Sequence, residues 1–178
     1  MHDTEDKQWW VDKGLEWEID FVENVAPVVG LKVRMNPKKK ADPYAPDLLV
    51  DDDKLADLKK QTTPFFKSGE NWPGYDPMYT VTFNVKDYER YTKDYPNIHI
   101  VFYVHWDVFE KVINEIKYTI RPLVGVWRCT IKDITSFVKE GAPVHYYGRR
   151  KEDQSGNARG SYLIDLRKLT CIWQGEHL

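Results

Sequence analysis

The stretch PDLLVDDDKLADLKKQ, residues 46–61, holds the side chains best suited to chemistry. Asp57 and Lys59 stand two apart in a run that reads as a strand over residues 54–61, so both leave the same face of a sheet. Asp47 heads a short apolar strand over residues 47–50, and the run Asp51-Asp52-Asp53 reads as the hairpin turn between the two. A tight turn there returns the second strand alongside the first and brings Asp47 and Asp57 together. Paired carboxylates suit a hard divalent cation that keeps open water positions, with Mg²⁺ the expected ion and Mn²⁺ its substitute. Lys59 beside them would orient or help deprotonate an attacking water, and would stabilise charge on a phosphate. Leu55, Ala56 and Leu58 give Asp57 an apolar setting, where a carboxylate needs a cation or a strong donor.

Acid-x-Lys alone carries little information. It occurs four times, as Glu5 with Lys7, Asp52 with Lys54, Asp57 with Lys59 and Glu115 with Lys117. Only Asp57 with Lys59 lies in a credible strand shortly after a separate strand headed by an aspartate. Pro46-Asp47 is the one Pro-Asp pair of the chain. The plain alternative is a turn residue at Asp47 and a solvated sheet face at Asp57 and Lys59. On a helix expected over residues 14–29, Glu18 shares a face with Phe21 and Val25 and so points to the sheet, with Glu16 and Glu23 as competitors. Gln61 falls on the strand face of Asp57 and Lys59, to touch a phosphate or base or to pack at the strand end.

These residues resemble the PD-(D/E)XK nuclease superfamily, the fold of many restriction endonucleases, junction resolvases and recombination exonucleases. The family's signature aspartate resembles Asp47, and its second acid and lysine resemble Asp57 and Lys59. Its helix pattern of Gly, Glu, apolar residue and terminating Gly is similar to Gly14, Glu18, Phe21, Val25 and Gly30. The resemblance covers residues 14–61 and continues beyond them only as element order. It implies a restriction-endonuclease-like three-layer core, with a central mixed β-sheet flanked by helices. Asp47, Asp57 and Glu18 would hold the metal, and Lys59 would join them in catalysis.

The elements that must position these groups follow from pattern. Strands are expected over residues 31–35, 79–85, 98–104, 123–131, 144–147 and 161–166, with residues 98–104 central. Asp107 with Glu110 forms a capping-box pattern ahead of an expected helix over residues 108–116, and a second short helix is expected over residues 133–140. Residues 1–13 read as an N-terminal extension to one domain spanning 1–178. Helix, strands, helix and strand in that order argue for α/β or α+β architecture with a mixed sheet.

Composition narrows the rest. Lys plus Arg is 26 and Asp plus Glu is 28, a formal net charge of −2, which argues against a purely electrostatic nucleic-acid binder but leaves room for a local basic face. Lys38, Lys39 and Lys40 form one such cluster ahead of Asp47; Arg149, Arg150 and Arg159 lie in a late polar loop; Lys60 and Gln61 flank Lys59. Each run also reads as a solvated loop. Trp72, Tyr75, Tyr79, Tyr146 and Tyr147 would stack on unpaired bases or pack at a core rim. Cys129 and Cys171 read as buried free thiols. The absence of a glycine-rich phosphate loop or dinucleotide fingerprint leaves no support for a nucleotide cofactor. With no apolar run of spanning length, a membrane partner is not expected. The expectation is a cytoplasmic, Mg²⁺-dependent deoxyribonuclease, an endonuclease, acting on DNA and forming a homodimer. The alternatives are a nuclease-fold DNA-binding protein without efficient cleavage, and an α/β domain that binds another protein through its aromatic surface.

Overall fold

Two strands buried on both faces, residues 99–105 and 124–130, organise the chain. The computed structural model describes residues 7–42, 44–51, 53–146 and 160–175. β1 (Val33–Met35), β2 (Leu48–Val50) and β3 (Lys54–Gln61) make an antiparallel meander. β4 (Thr80–Asn84) and α3 (Val85–Asp94) follow, the latter preceded in the chain by α1 (Lys7–Asp20) and the single-turn α2 (Ser68–Asn71). β5 (His99–His105) then lies parallel to β3. A parallel pair cannot be closed by a hairpin, so residues 62–98 must cross over, and α3 is the longer helix of that crossover. β8 (Val124–Thr130) and β11 (Thr170–Gly175) extend the sheet antiparallel, in the order β1-β2-β3-β5-β8-β11.

The hairpin β6 (Glu110–Ile113) and β7 (Ile116–Thr119) stands apart, and β4 pairs with β10 (Ser161–Asp165), which also takes β9 (Val144–His145). Ile100, Phe102 and Val104 of β5 face α3, α4 (Ile131–Lys139) and the small sheet, packing with Phe83, Tyr91, Ile134 and Ile164. Val101 and Tyr103 face the other way, against Phe21 and Val25. Both faces of β5 are thus covered, as a central strand with a continuous apolar run requires. The result is a mixed α/β fold with a central mixed sheet and a few helices. No helix among the described residues is long and apolar enough to cross a membrane.

The first helix covers Lys7–Asp20 among the described residues, so residues 7–13 are helical ahead of the start expected at Gly14. It ends in a widened π-helical turn, Phe21–Val25, closed by the Ala26 N–H on the Phe21 carbonyl at 2.8 Å. Pro27 has no N–H to continue an ordinary turn, and Gly30 (φ 73°) completes the stop. The helix expected over residues 108–116 is instead the β6–β7 hairpin. Asn114 and Glu115 take left-handed φ values of 50° and 66°, the two-residue turn whose twist suits a hairpin, and Val112, Ile113 and Ile116 are β-branched. α4 starts at Ile131, two residues early, because Thr130 and Asp133 form a reciprocal cap. Cys129 is buried as expected, but Cys171 is exposed on the edge strand β11.

Asn36 ties the segment before β2 together. Its Nδ2 donates to the Pro46 carbonyl (2.8 Å), its Oδ1 accepts from the Lys38 N–H (3.1 Å), and its own N–H donates to the Asp47 carbonyl (2.9 Å). The residue is only 3% exposed, so removing the amide strands buried partners. Asn36→Ala is expected to lower unfolding free energy by about 1–3 kcal/mol in urea titrations; an unchanged midpoint would contradict this tie.

Candidate active site

Leu48 with Ala56 is the last pair of the β2–β3 ladder, and the same register one residue further sets Asp47 across from Asp57. There the strands part. The Pro46 carbonyl is taken by Asn36, and the Leu58 N–H donates to Asp47 Oδ2 at 3.2 Å. Carboxylates directly across a strand pair repel, and the charge of Asp47 does act on Asp57.

β3 alternates cleanly. Asp57, Lys59 and Gln61 share the face of their β5 neighbours Ile100, Phe102 and Val104, towards α3. Asp57 is 3% exposed; its Oδ1 accepts from the Tyr91 hydroxyl at 2.5 Å, and Lys59 Nζ lies 2.7 Å from its Oδ2. Lys59 Nζ also donates to Asp87 Oδ2 at 2.7 Å. Arg90 Nη2 donates to the Tyr91 hydroxyl (2.6 Å) and lies 3.0 Å from Asp87 Oδ1. Burial pulls the Lys59 pKa down, but the charges of Asp57 and Asp87 outweigh it and hold the amine well above the ordinary lysine range. Burial raises the Tyr91 phenol, with the Asp57 charge adding, so the hydroxyl remains a donor.

On the other flank, Lys39 Nζ donates to Glu18 Oε1 at 2.6 Å and also to Asp47 Oδ1. Burial lowers the pKa of Lys39, but Asp47 and Glu18 more than reverse this and raise it. Of the three helix glutamates, Glu18 is buried, whereas Glu16 is exposed beside Lys13 and Glu23 is exposed. Glu18 Oε2 is a buried oxygen with no hydrogen-bond partner, and Asp57 Oδ2 also lacks an aligned donor despite its short approach to Lys59. Such acceptors fit a cation. Among the described residues no three acidic, histidine or cysteine side chains gather round one point; Lys39 lies between Glu18 and Asp47, and Lys59 between Asp57 and Asp87.

Other side chains picked out from the sequence lie as follows. Lys38 and Lys40 are exposed on the short 3₁₀ turn Pro37–Lys40. Lys60 points to the α1 face, 5.1 Å from the Tyr103 ring centroid, 5.5 Å from that of Trp17 and 3.7 Å from Asp20. Gln61 spends its amide on β4, donating to the Thr82 carbonyl (2.8 Å) and accepting from the Thr82 N–H (3.2 Å). Trp72 stacks on Phe65 at 5.6 Å. Arg149, Arg150, Arg159 and Tyr147 fall outside the described residues. Asp51 and Asp53 are held away from the site by Arg128 (2.6 Å) and Arg34 (2.8 Å), at the far end of the hairpin from Asp47. Asp87, Arg90 and Tyr91 escaped the sequence reading because α3 was not recognised. Its signal was Asn84 as N-cap, accepting from the Lys86 N–H, followed by Tyr88, Tyr91 and Tyr95 at helical spacing. A cleft of about 530 Å³ opens beside Lys59, lined by Gln61, Thr62, Thr63, Thr82, Asn84 and Asp87.

Comparisons with protein-family models, with curated proteins and with solved structures each find no match to this chain.

Burial raises Asp57 from the ordinary 3.8 to about 6; Asp47 adds to this and Lys59 opposes it. The native state therefore holds this proton more tightly than the unfolded chain. The stabilisation is complete below the unfolded pKa and is lost as pH rises through the folded one. A pKa difference of about 2 corresponds to about 3 kcal/mol. In EDTA, the stability of the wild type relative to Asp57→Asn is expected to fall by about 3 kcal/mol between about pH 3.5 and about pH 7, read from urea unfolding at each pH. A difference that stays flat across that range would contradict the assignment.

Proposed function

We propose that this protein is a metal-dependent DNA phosphodiester hydrolase of the restriction-endonuclease-like fold, cutting as an endonuclease. The observation that carries the reading is Asp47 standing across the strand fork from Asp57, with Lys59 on the Asp57 face. The chain order supports it: helix, antiparallel three-strand meander, crossover helix, and a strand parallel to the third. That is the order the PD-(D/E)XK resemblance implies.

Asp47, Asp57 and Glu18 would hold Mg²⁺, with Mn²⁺ as a substitute, and the unpartnered, buried Glu18 Oε2 is an acceptor suited to such an ion. When bound, the ion would polarise the phosphate and acidify a nearby water. Lys59 acts as an ammonium, since Asp57 and Asp87 keep its proton on. Its part is to orient the attacking water and to stabilise charge as it builds on the phosphate, rather than to accept a proton. Tyr91 fixes the Asp57 carboxylate, and Asp87 fixes the Lys59 ammonium. The polar cleft beside Lys59 offers hydroxyl and amide groups to a sugar-phosphate backbone. Lys38 and Lys40 add positive charge on the Asp47 side. A homodimer, which gives one site per strand of a duplex, and a cytoplasmic setting belong to the same reading.

A second reading keeps the fold and DNA binding without cleavage. The Lys39 ammonium seated between Glu18 and Asp47 favours it, because that cation already occupies the space between the two carboxylates. Incubation with linear, nicked, branched and single-stranded DNA separates the two. The hydrolase reading expects Mg²⁺- or Mn²⁺-dependent cleavage, abolished by EDTA and slowed at least about 100-fold by Lys59→Ala or Asp57→Asn. Cleavage by Lys59→Ala at the wild-type rate would overturn it, and DNA binding in EDTA with no cutting under either metal would favour the second reading.

A further inference from the structure

Lys39 makes an unusual pairing for a lysine in a basic run. Its neighbours Lys38 and Lys40 face solvent, whereas its own ammonium bridges Glu18 of α1 and Asp47 ahead of β2. Two carboxylates from separate elements, converging on one cation, describe a cation site. The ammonium satisfies it only in part. Glu18 Oε2 remains buried and unpartnered, with the residue only 8% exposed. Glu18, Asp47 and Lys39 together carry one net negative charge, which a divalent cation in place of the ammonium would bring to zero.

We propose that Lys39 is a tethered counter-ion that competes with the divalent cation for the Glu18–Asp47 pair. This rests on the metal-site reading above. The same carboxylate oxygens cannot serve an ammonium and an ion coordinated at roughly 2.1 Å, so one must leave for the other to bind. The local structure permits that exchange without refolding. Asn36 pins the backbone of the Pro37–Lys40 turn to Pro46 and Asp47, so the turn keeps its place and only the Lys39 side chain swings. Lys59 differs in this respect. Asp87, which is not a proposed ion ligand, holds its ammonium independently of Asp57, so it stays in place when an ion arrives. Both partners of Lys39 are proposed ligands, and an ion that takes them releases it. The freed ammonium joins Lys38 and Lys40 on one exposed turn, where it meets phosphate. The arrangement keeps two facing acids neutral enough to fold before metal arrives. It also weakens apparent metal affinity by the fraction of time that the lysine is seated, about tenfold if it is seated nine-tenths of the time.

Mn²⁺ binding to the full chain, followed by electron paramagnetic resonance without DNA, tests this. Lys39→Met and Lys39→Gln are both used, with folding checked by circular dichroism. The expected result is Mn²⁺ affinity at least about tenfold above wild type in either variant, lost again when Asp47→Asn is added. In thermal melts the Lys39 variants should lie below wild type in EDTA and regain the difference in Mn²⁺. Equal Mn²⁺ affinity in wild type and variants, still abolished by Asp47→Asn, would overturn the competition while leaving the metal site standing. No Mn²⁺ binding by wild type or by either variant would overturn the metal site and the competition with it.

Discussion

Two carboxylates face one another across a pair of strands, and one of them is buried. A β-hairpin that opens at Leu48–Ala56 puts Asp47 opposite the buried Asp57, and the Asp47 charge adds to burial in making an ionised Asp57 costly. Much of the surrounding structure answers that constraint. Each acid has its own lysine, Lys39 for Asp47 and Lys59 for Asp57. Each lysine has a second acid, Glu18 and Asp87 respectively. The result is four ion pairs, two to each lysine, around one fork, built from α1, the Pro37–Lys40 turn, β3 and α3.

The two flanks differ in rigidity. The α3 flank is closed by a chain of donors, from Arg90 to Tyr91 to Asp57, inside the core that Phe83 and Phe102 help to build. Its helix is there because β3 and β5 run parallel and need a crossover, so the same connection that completes the sheet delivers Asp87 and Tyr91 to the site. The Lys39 flank rests on one short turn tied down by a single asparagine. In the proposed reading the α3 flank would orient a water while the Lys39 side chain would yield to an incoming ion, and the two groups lie on opposite sides of the fork.

The sequence revealed the site's strands more readily than its supports. Residues 54–61 were legible as β3 at both ends, and β2 differed only in starting after Asp47, because alternation and a dense acidic turn are local signals. Glu18 stood out because it shares a helical face with Phe21 and Val25, and it is the buried one of its three neighbouring glutamates. α3 was hidden by its polarity: Lys, Asp, Glu and Arg dominate it, and only its tyrosines mark the buried side. The β6–β7 hairpin imitated a helix because Asp107 and Glu110 carry a capping pattern; the Asp107 N–H instead donates to the Thr62 carbonyl at 2.9 Å, a contact between distant segments. Lys39 looked like part of a basic patch, and its partners lie 21 and 8 residues away. Gln61 looked like a substrate contact, while its amide is matched to the main chain of a strand in another sheet. Each of these depends on tertiary neighbours that spacing does not encode.

Crystals of the protein soaked in Mn²⁺, with diffraction recorded at the manganese absorption edge, test the central claim most directly. The expected map holds an anomalous peak bridging Asp47 and Asp57, with Glu18 reaching it directly or through a water and Lys39 Nζ withdrawn from Glu18. A map without such a peak, in which Lys39 still joins Glu18 to Asp47 at saturating Mn²⁺, would contradict it.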